Sequence, residues 1–312
     1  ISGHRGMVGS ALVKYFKKKE IKKLILINKK KLDLLNEKKV EKFVKKNKPD
    51  IIINCAGKVG GILANSSFPV EFLDQNILIQ KNLINSAYKN RVEHFINLGS
   101  SCIYPKKSKQ PIKENYLLSG YLEKTNEAYA LAKIIGLKSC EFYNQQYGTS
   151  YFTMMPCNLY GPNDNFDLKN SHFLPALIKK ILNSSKKNNS KIEIWGTGKP
   201  KREVMYVDDL AAAIYFVLSK KVLKDKKLSK IIKENPVINV GSGYEFTIKQ
   251  FAKIICALSN KKGNLKFNKN YPDGTMRKVL DNKVMKSLGW KPEISLKKGL
   301  SKTIEWYKDN YL

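Results

Sequence analysis

The chain has 312 residues, 42% of them hydrophobic and 27% charged, enough apolar material for one large or two modest packed units and not the composition of a disordered chain. No apolar run reaches the roughly 20 residues that cross a bilayer, and no signal peptide is visible, so a membrane partner is not expected. The formal net charge of +32 raises nucleic acid as a ligand, but the cations are nearly all Lys spread along the chain, and no aromatic residues interleave with the runs Lys17–Lys19, Lys29–Lys31 and Lys226–Lys227 as a base-stacking platform requires. The charge is read as solvated surface that attracts anionic ligands, with no nucleic-acid partner expected.

The cysteines are Cys55, Cys102, Cys140, Cys157 and Cys256. Their number is odd and none forms a Cys-x-x-Cys pair, so neither a zinc site nor a disulfide framework is expected, and a reducing cytoplasm is the simplest setting.

Ile1-Ser2 reads as the end of a buried strand. It leads into Gly3-His4-Arg5-Gly6-Met7-Val8-Gly9 and a helical pattern from Ala11 to Phe16. Strand, glycine-rich turn and helix form the context in which such glycines bind a dinucleotide. One glycine makes the turn, one lets the backbone approach the pyrophosphate, and one lets the helix pack on the sheet. The spacing, two residues between successive glycines, differs from the commonest fingerprint.

Leu24–Ile27 reads as the next strand. Many NAD-binding sheets place an acid after this strand to hold the ribose hydroxyls, whereas this chain continues Asn28-Lys29-Lys30-Lys31, which favours a 2′-phosphate and hence NADP(H).

Asp50–Gly57 is apolar without alternation, as in a buried parallel strand. Glu71–Asn90 repeats Phe72, Ile77, Leu78, Leu83, Ile84 and Ala87 at helical spacing. His94–Leu98 is another strand and ends in Gly99-Ser100-Ser101-Cys102-Ile103-Tyr104-Pro105. Ligands bind at strand carboxyl ends in open parallel sheets, so these polar residues are site candidates. His94 itself is expected to be structural.

A lysine-bearing loop then leads to a helix with Tyr129 and Lys133, four residues apart and so on one face. A phenol beside an ammonium is a candidate proton donor whose pKa the positive charge lowers. Ser150–Met155 is the following strand, closed by Pro156-Cys157-Asn158-Leu159-Tyr160-Gly161-Pro162.

Alternation of strand and helix predicts an α/β doubly wound parallel sheet of Rossmann type over residues 1–162. Beyond it, helices at Phe173–Leu182 and Leu210–Leu218, short strands at Ile192–Trp195 and Val237–Val240, and a turn at Leu288–Pro292 before a helix through Trp306 predict a smaller α/β substrate lobe over 163–312, some of whose segments return to the first unit. The polar tract Ser184–Ser190 is the closest thing to a linker.

Jointly these residues carry a resemblance. Gly3, Gly6 and Gly9, Ser100, and Tyr129 with Lys133 resemble the extended short-chain dehydrogenase/reductase family over the whole chain. Finer matches are Val59-Gly-Gly-Ile62, Leu98–Pro105, Asn158–Pro162, His172, Trp195-Gly, Arg202-Glu203, Val207-Asp-Asp209 and Pro272–Lys278. The Ser-Ser-Cys element with His172 resembles a branch that epimerises and then reduces GDP-4-keto-6-deoxy-mannose with NADPH, usually as a homodimer.

That resemblance implies an oxidoreductase with isomerase activity. Its implied catalytic residues are Ser100, Cys102, Tyr129, Lys133 and His172. Cys102 and His172 invert carbons 3 and 5, with their division into acid and base left open. Ser100 and Tyr129 donate to the C4 oxygen, and Lys133 holds the nicotinamide ribose. The implied NADP(H) contacts are Gly3 to Gly9, Lys29, Leu98, Gly99, Ser100, Ser101, Lys133, Pro156, Cys157, Asn158, Leu159 and His172. The implied GDP-sugar contacts are Lys180, Trp195, Arg202, Asp273 and Lys278. Lys29 and Lys180 stand where the family usually has Arg, a point charge in place of a bidentate fork. Two other readings use the same residues differently: the same chemistry on another GDP-4-keto-sugar, such as a heptose, and a basic module that binds RNA or a partner without catalysis.

Overall fold

The computed structural model describes residues 1–168, 170–184, 191–261, 264–271 and 273–312. The Ser184–Ser190 tract beyond its first residue, and Pro272 of the Pro272–Lys278 motif, lie outside the described residues. From the glycine loop the chain runs through α1 (Met7–Lys18), α2 (Glu37–Asn47), β1 (Ile51–Asn54), α3 (Ile62–Ser67), α4 (Pro69–Lys89), β2 (His94–Leu98), α5 (Glu127–Tyr147) and β3 (Ser150–Pro156). It continues through β4 (Asn158–Tyr160), α6 (Phe173–Leu182), β5 (Lys191–Trp195), β6 (Lys201–Tyr206), α7 (Val207–Val217), β7 (Val237–Val240), β8 (Glu245–Thr247), β9 (Asn264–Asn268) and β10 (Arg277–Lys278).

Successive side chains of a strand point to opposite faces, so a strand covered on both sides needs consecutive apolar residues. β1, β2 and β3 meet that demand and pair in parallel, Ile53 opposite Ile96 and Ile96 opposite Phe152. Ile52, Phe95 and Tyr151 enter one core with Val40 and Val44 of α2 and Leu83 and Ile84 of α4. Ile53, Ile96 and Phe152 enter the other with Leu12 and Phe16 of α1 and Leu210 and Ile214 of α7. The sheet order is β1-β2-β3-β7, a doubly wound parallel sheet with helices on both faces.

Ser2 joins this sheet as an isolated parallel bridge to Asn54. Leu24–Ile27 differs from its sequence reading: it forms no strand. Ile1 lies beside it, with its nitrogen donating to the Ile25 carbonyl at 3.1 Å.

A second, parallel sheet runs β10-β6-β4, with β8 antiparallel on β6, while β5 and β9 pair separately in parallel. Its core gathers Tyr160, Leu177, Ile181, Ile194, Tyr206, Phe251, Ile304 and Tyr307. The two sheets interleave in sequence. β4 precedes residue 162 yet belongs to the second, and β7, far beyond it, completes the first with Ile238 opposite Met154. Among the described residues no helix is long and apolar enough to cross a membrane.

Candidate active site

The glycine loop is held so that α1 presents bare N–H groups. Gly3 has φ +65°, a left-handed conformation, and a Cβ there would run into the backbone of Cys55 and Ala56 at 2.8 Å. A side chain at Gly9 would collide with the backbone of Gly3 and His4. Gly6 caps α1 without a side-chain hydrogen bond, so the first-turn N–H groups face outward, and an anion is favoured there. This cradle fits a dinucleotide pyrophosphate. Met7 and Val8 are partly buried against the core, and Arg5 is exposed. Lys29 is exposed on a turn closed by the Lys31 N–H donating to the Asn28 carbonyl.

The second group gathers where β2 ends. Ser100 caps the short turn Ser101–Ile103, its hydroxyl accepting from the Cys102 N–H at 3.5 Å. Tyr129 and Cys102 both lie close enough to this hydroxyl for it to ease their ionisation, so the three side chains are near neighbours. Lys133, buried on α5, donates from Nζ to the Leu98 carbonyl at 2.8 Å and lies 5.7 Å from the Tyr129 ring centre. Burial lowers the Lys133 pKa to about 8.

The sequence-based expectation that Lys133 lowers the tyrosine pKa is not met. Burial raises the Tyr129 pKa well above the ordinary phenol, and Cys102 adds to the rise. Losing water costs a phenolate more than this lysine returns, since its ammonium is itself disfavoured by burial and is committed to Leu98. Tyr129 is thereby held protonated, the state of a donor.

Cys102 is buried and its thiol is pushed up by burial, with Lys278 and Ser100 pulling it back. His172 is the N-cap residue of α6. The residue is exposed, and the surrounding protein followed by the charge of Lys278 lowers its pKa. A thiol kept protonated and an imidazole kept neutral form a donor and an acceptor.

Lys278 links the two: its charge acts on both Cys102 and His172, and burial, with Arg202 adding to it, lowers its own pKa. Lys278 and Arg202 sit side by side because β10 pairs with β6 in that register. Arg202 donates to the carbonyls of Lys201, at 2.8 Å, and Thr275. Together the two cations make a positive wall suited to a diphosphate.

At the outer end, Lys180 lies over Trp195, with Nζ 4.7 Å from the ring, and donates to the Glu193 carbonyl at 3.3 Å. Trp195 is half exposed and stacks on Tyr271 at 4.3 Å with planes 12° apart. Tyr271 was not singled out from sequence, and it lies outside any helical or strand pattern. Asp273 has both carboxylate oxygens taken by Thr197, from its N–H at 2.9 Å and its hydroxyl at 2.6 Å, so it anchors the turn after Trp195.

Leu98, Ser101, Pro156 and Cys157 are buried, and Gly99, Asn158 and Leu159 are partly so. The Cys157 thiol is raised by burial and by Glu203, and its N–H donates to the Val240 carbonyl at 3.0 Å. Glu203, quoted from sequence only within a motif, proves to be a buried brace: Oε1 accepts from Gly243 N–H at 2.6 Å and Oε2 from Leu280 N–H at 2.9 Å. It thus fixes the segment that carries Lys278.

A model of the NAD dependent epimerase/dehydratase family matches residues 1–241. The chain is 44% identical to the GDP-L-fucose synthase of Escherichia coli, over 99% of this chain and 96% of that protein. It is 43% identical to the GDP-L-fucose synthase of Sinorhizobium fredii, over 99% and 95% of the two. Its structure is similar to that of a GDP-mannoheptose C4 reductase from Campylobacter jejuni with NADP bound: TM-score 0.88, 36% identity, 98% of this chain and 96% of that one covered. The chain therefore belongs to the NAD dependent epimerase/dehydratase family, within the extended short-chain dehydrogenases/reductases.

Proposed function

We propose that the chain is an NADPH-dependent epimerase–reductase that converts GDP-4-keto-6-deoxy-D-mannose to GDP-L-fucose. One observation carries the reading: Ser100, Cys102 and Tyr129 gather where β2 ends, near enough to act on one another's ionisation, which puts a reduction site beside an epimerisation site.

The glycine loop from Gly3 to Gly9, with the N-terminus of α1, holds the pyrophosphate of NADP(H), and Lys29 meets its 2′-phosphate. Leu98 to Ser101, Pro156 to Leu159, Lys133 and His172 line the rest of the cofactor's path. When bound, NADPH supplies the hydride that reduces C4.

Protons on the carbons flanking a ketone are acidic because the enolate spreads charge onto oxygen. Neutral His172 is suited to remove one and protonated Cys102 to return one from the opposite face. Ser100 and Tyr129 donate to the C4 oxygen as it gains charge, and Tyr129, held protonated by burial, gives up its proton there. Lys278 and Arg202 take the diphosphate, while Lys180 and the Trp195–Tyr271 stack flank the nucleotide end. Asp273 supports this end through Thr197.

A division of labour accompanies this reading, with a cofactor unit over 1–162 and a substrate lobe over 163–312 that returns β7 to the first unit and takes β4 from it. A homodimer joined through α4 and α5 is supported by apolar side chains exposed on them: Leu78, Leu131, Ile135 and Phe142. A cytoplasmic setting is supported by five free cysteines, two of them, Cys102 and Cys157, in the site.

The likeness to the GDP-mannoheptose reductase favours a second substrate, a GDP-4-keto-heptose, for the same residues. Competition between the two sugars in one NADPH-consumption assay tests the choice. A higher kcat/KM for the 6-deoxyhexose supports the first reading, and the reverse order supports the second.

A further inference from the structure

A closed ring of hydrogen bonds ties the Tyr129–Lys133 helix to the sheet, and its fourth corner is a glutamine on a different helix. Asn97 Nδ2 donates to Gln80 Oε1 at 3.0 Å. Gln80 Nε2 donates to the Ala132 carbonyl at 2.9 Å. Lys133, next in sequence, donates from Nζ to the carbonyl of Leu98, itself next to Asn97, at 2.8 Å. The ring therefore runs β2, α4, α5 and back to β2. Gln80 and Asn97 are almost wholly buried, so each of these bonds is made away from water, where losing one leaves a group unpaired.

The sequence has made room for this. Gly136 lies one turn after Ala132 in the middle of α5, and glycine is a poor residue for a helix interior. A methyl group at 136 would overlap the Gln80 carboxamide. Gly136 thus lets α4 and α5 approach until the carboxamide reaches the Ala132 carbonyl. Gln80 also donates to the Asn76 carbonyl of its own helix at 2.9 Å, which fixes the direction of its amide.

We propose that Gln80 is a positioning residue for the reduction step: it sets the height of Lys133 and Tyr129 against the carboxyl end of β2 while touching neither substrate nor cofactor. This rests on the epimerase–reductase reading.

The test uses Gln80→Met, which keeps the volume and removes all three side-chain bonds, and Gly136→Ala, which leaves Gln80 in place and pushes its carboxamide aside. Each is expected to lower kcat about 10- to 100-fold while the NADPH Kd stays within about twofold, since the cost is one of alignment. In a Lys133→Met background, Gln80→Met should cost less than about twofold more, because both changes act on the same step. Hydrogen exchange in NADPH-free protein should rise in the peptide spanning Ala132 and Lys133 and stay unchanged in β3.

Wild-type kcat in both variants, full additivity with Lys133→Met, or exchange that rises uniformly through the fold would each overturn the proposal. The exchange readout needs no turnover. If wild-type protein failed to reduce the sugar while the local exchange change appeared, the functional reading would fail and the role in reduction with it, leaving Gln80 as the structural tie between α4, α5 and β2.

Discussion

The Lys133 ammonium stands 5.7 Å from the centre of the Tyr129 ring, one turn away on α5, with its proton directed to the Leu98 carbonyl. The pair is adjacent without being directly bonded in this way, and burial acts on both members in opposite senses: it raises the phenol and lowers the ammonium. Both shifts favour the neutral forms.

The first consequence concerns proton donation. Tyr129→Phe removes the partly buried phenol beside Ser100 that protonates the C4 alkoxide. Reduction should fall by about 10²- to 10⁴-fold, the usual worth of general acid catalysis, with NADPH binding unchanged. Single-turnover absorbance and a separate binding titration check the two halves. Undiminished turnover would remove Tyr129 from its role.

The second concerns pH. Burial lowers the Lys133 pKa to about 8, so the ammonium is present below that pH and is lost as pH rises through it. If the charge is needed, kcat should fall on the alkaline side with a midpoint near 8. In Lys133→Met the profile should lose that limb at a lower plateau. A wild-type profile flat to pH 10 would show that the charge is not used.

The third separates the two chemistries. Cys102→Ser and His172→Gln should each slow the entry of solvent deuterium at C3 and C5 by about 10²-fold, while NADPH binding persists. Mass spectrometry of the sugar recovered from D₂O reads this out. A variant that still takes up deuterium without inverting the carbon has lost the acid, the role given to Cys102, and one that takes up none has lost the base, the role given to His172.

The fourth is structural. Glu203→Ala leaves the buried Leu280 N–H unpaired, a loss of about 1–3 kcal/mol, and removes the partner of the part-buried Gly243 N–H, so thermal unfolding should shift down by several degrees. Binding of the GDP-sugar should weaken as well, because Leu280 follows the strand that carries Lys278. An unchanged melting temperature would contradict the brace.

Much of the fold was legible because a parallel sheet covered on both faces writes apolar stretches without alternation, as at Ile51–Ile53 and Phe95–Ile96. The doubly wound sheet followed from that pattern. Leu24–Ile27 has the same composition and forms no strand, since composition records a preference for burial and pairing depends on the neighbour. The parts of the candidate site that sit on short motifs, such as Gly3–Gly9 and Ser100–Cys102, were legible for the same local reason. Tyr271, Gln80 and the brace at Glu203 were not, because each acts on a partner far along the chain: Trp195, Ala132 and Leu280. Nor could the sign of the Tyr129 shift be read from spacing. Four residues on a helix give the neighbour and leave its hydration unknown.

The most direct test of the central claim follows NADPH absorbance with purified protein and GDP-4-keto-6-deoxy-D-mannose, with proton NMR of the sugar product. The account predicts stoichiometric NADPH oxidation and GDP-L-fucose, inverted at both C3 and C5 and reduced at C4. No oxidation, or a reduced product that keeps its original configuration at C3 and C5, would contradict it.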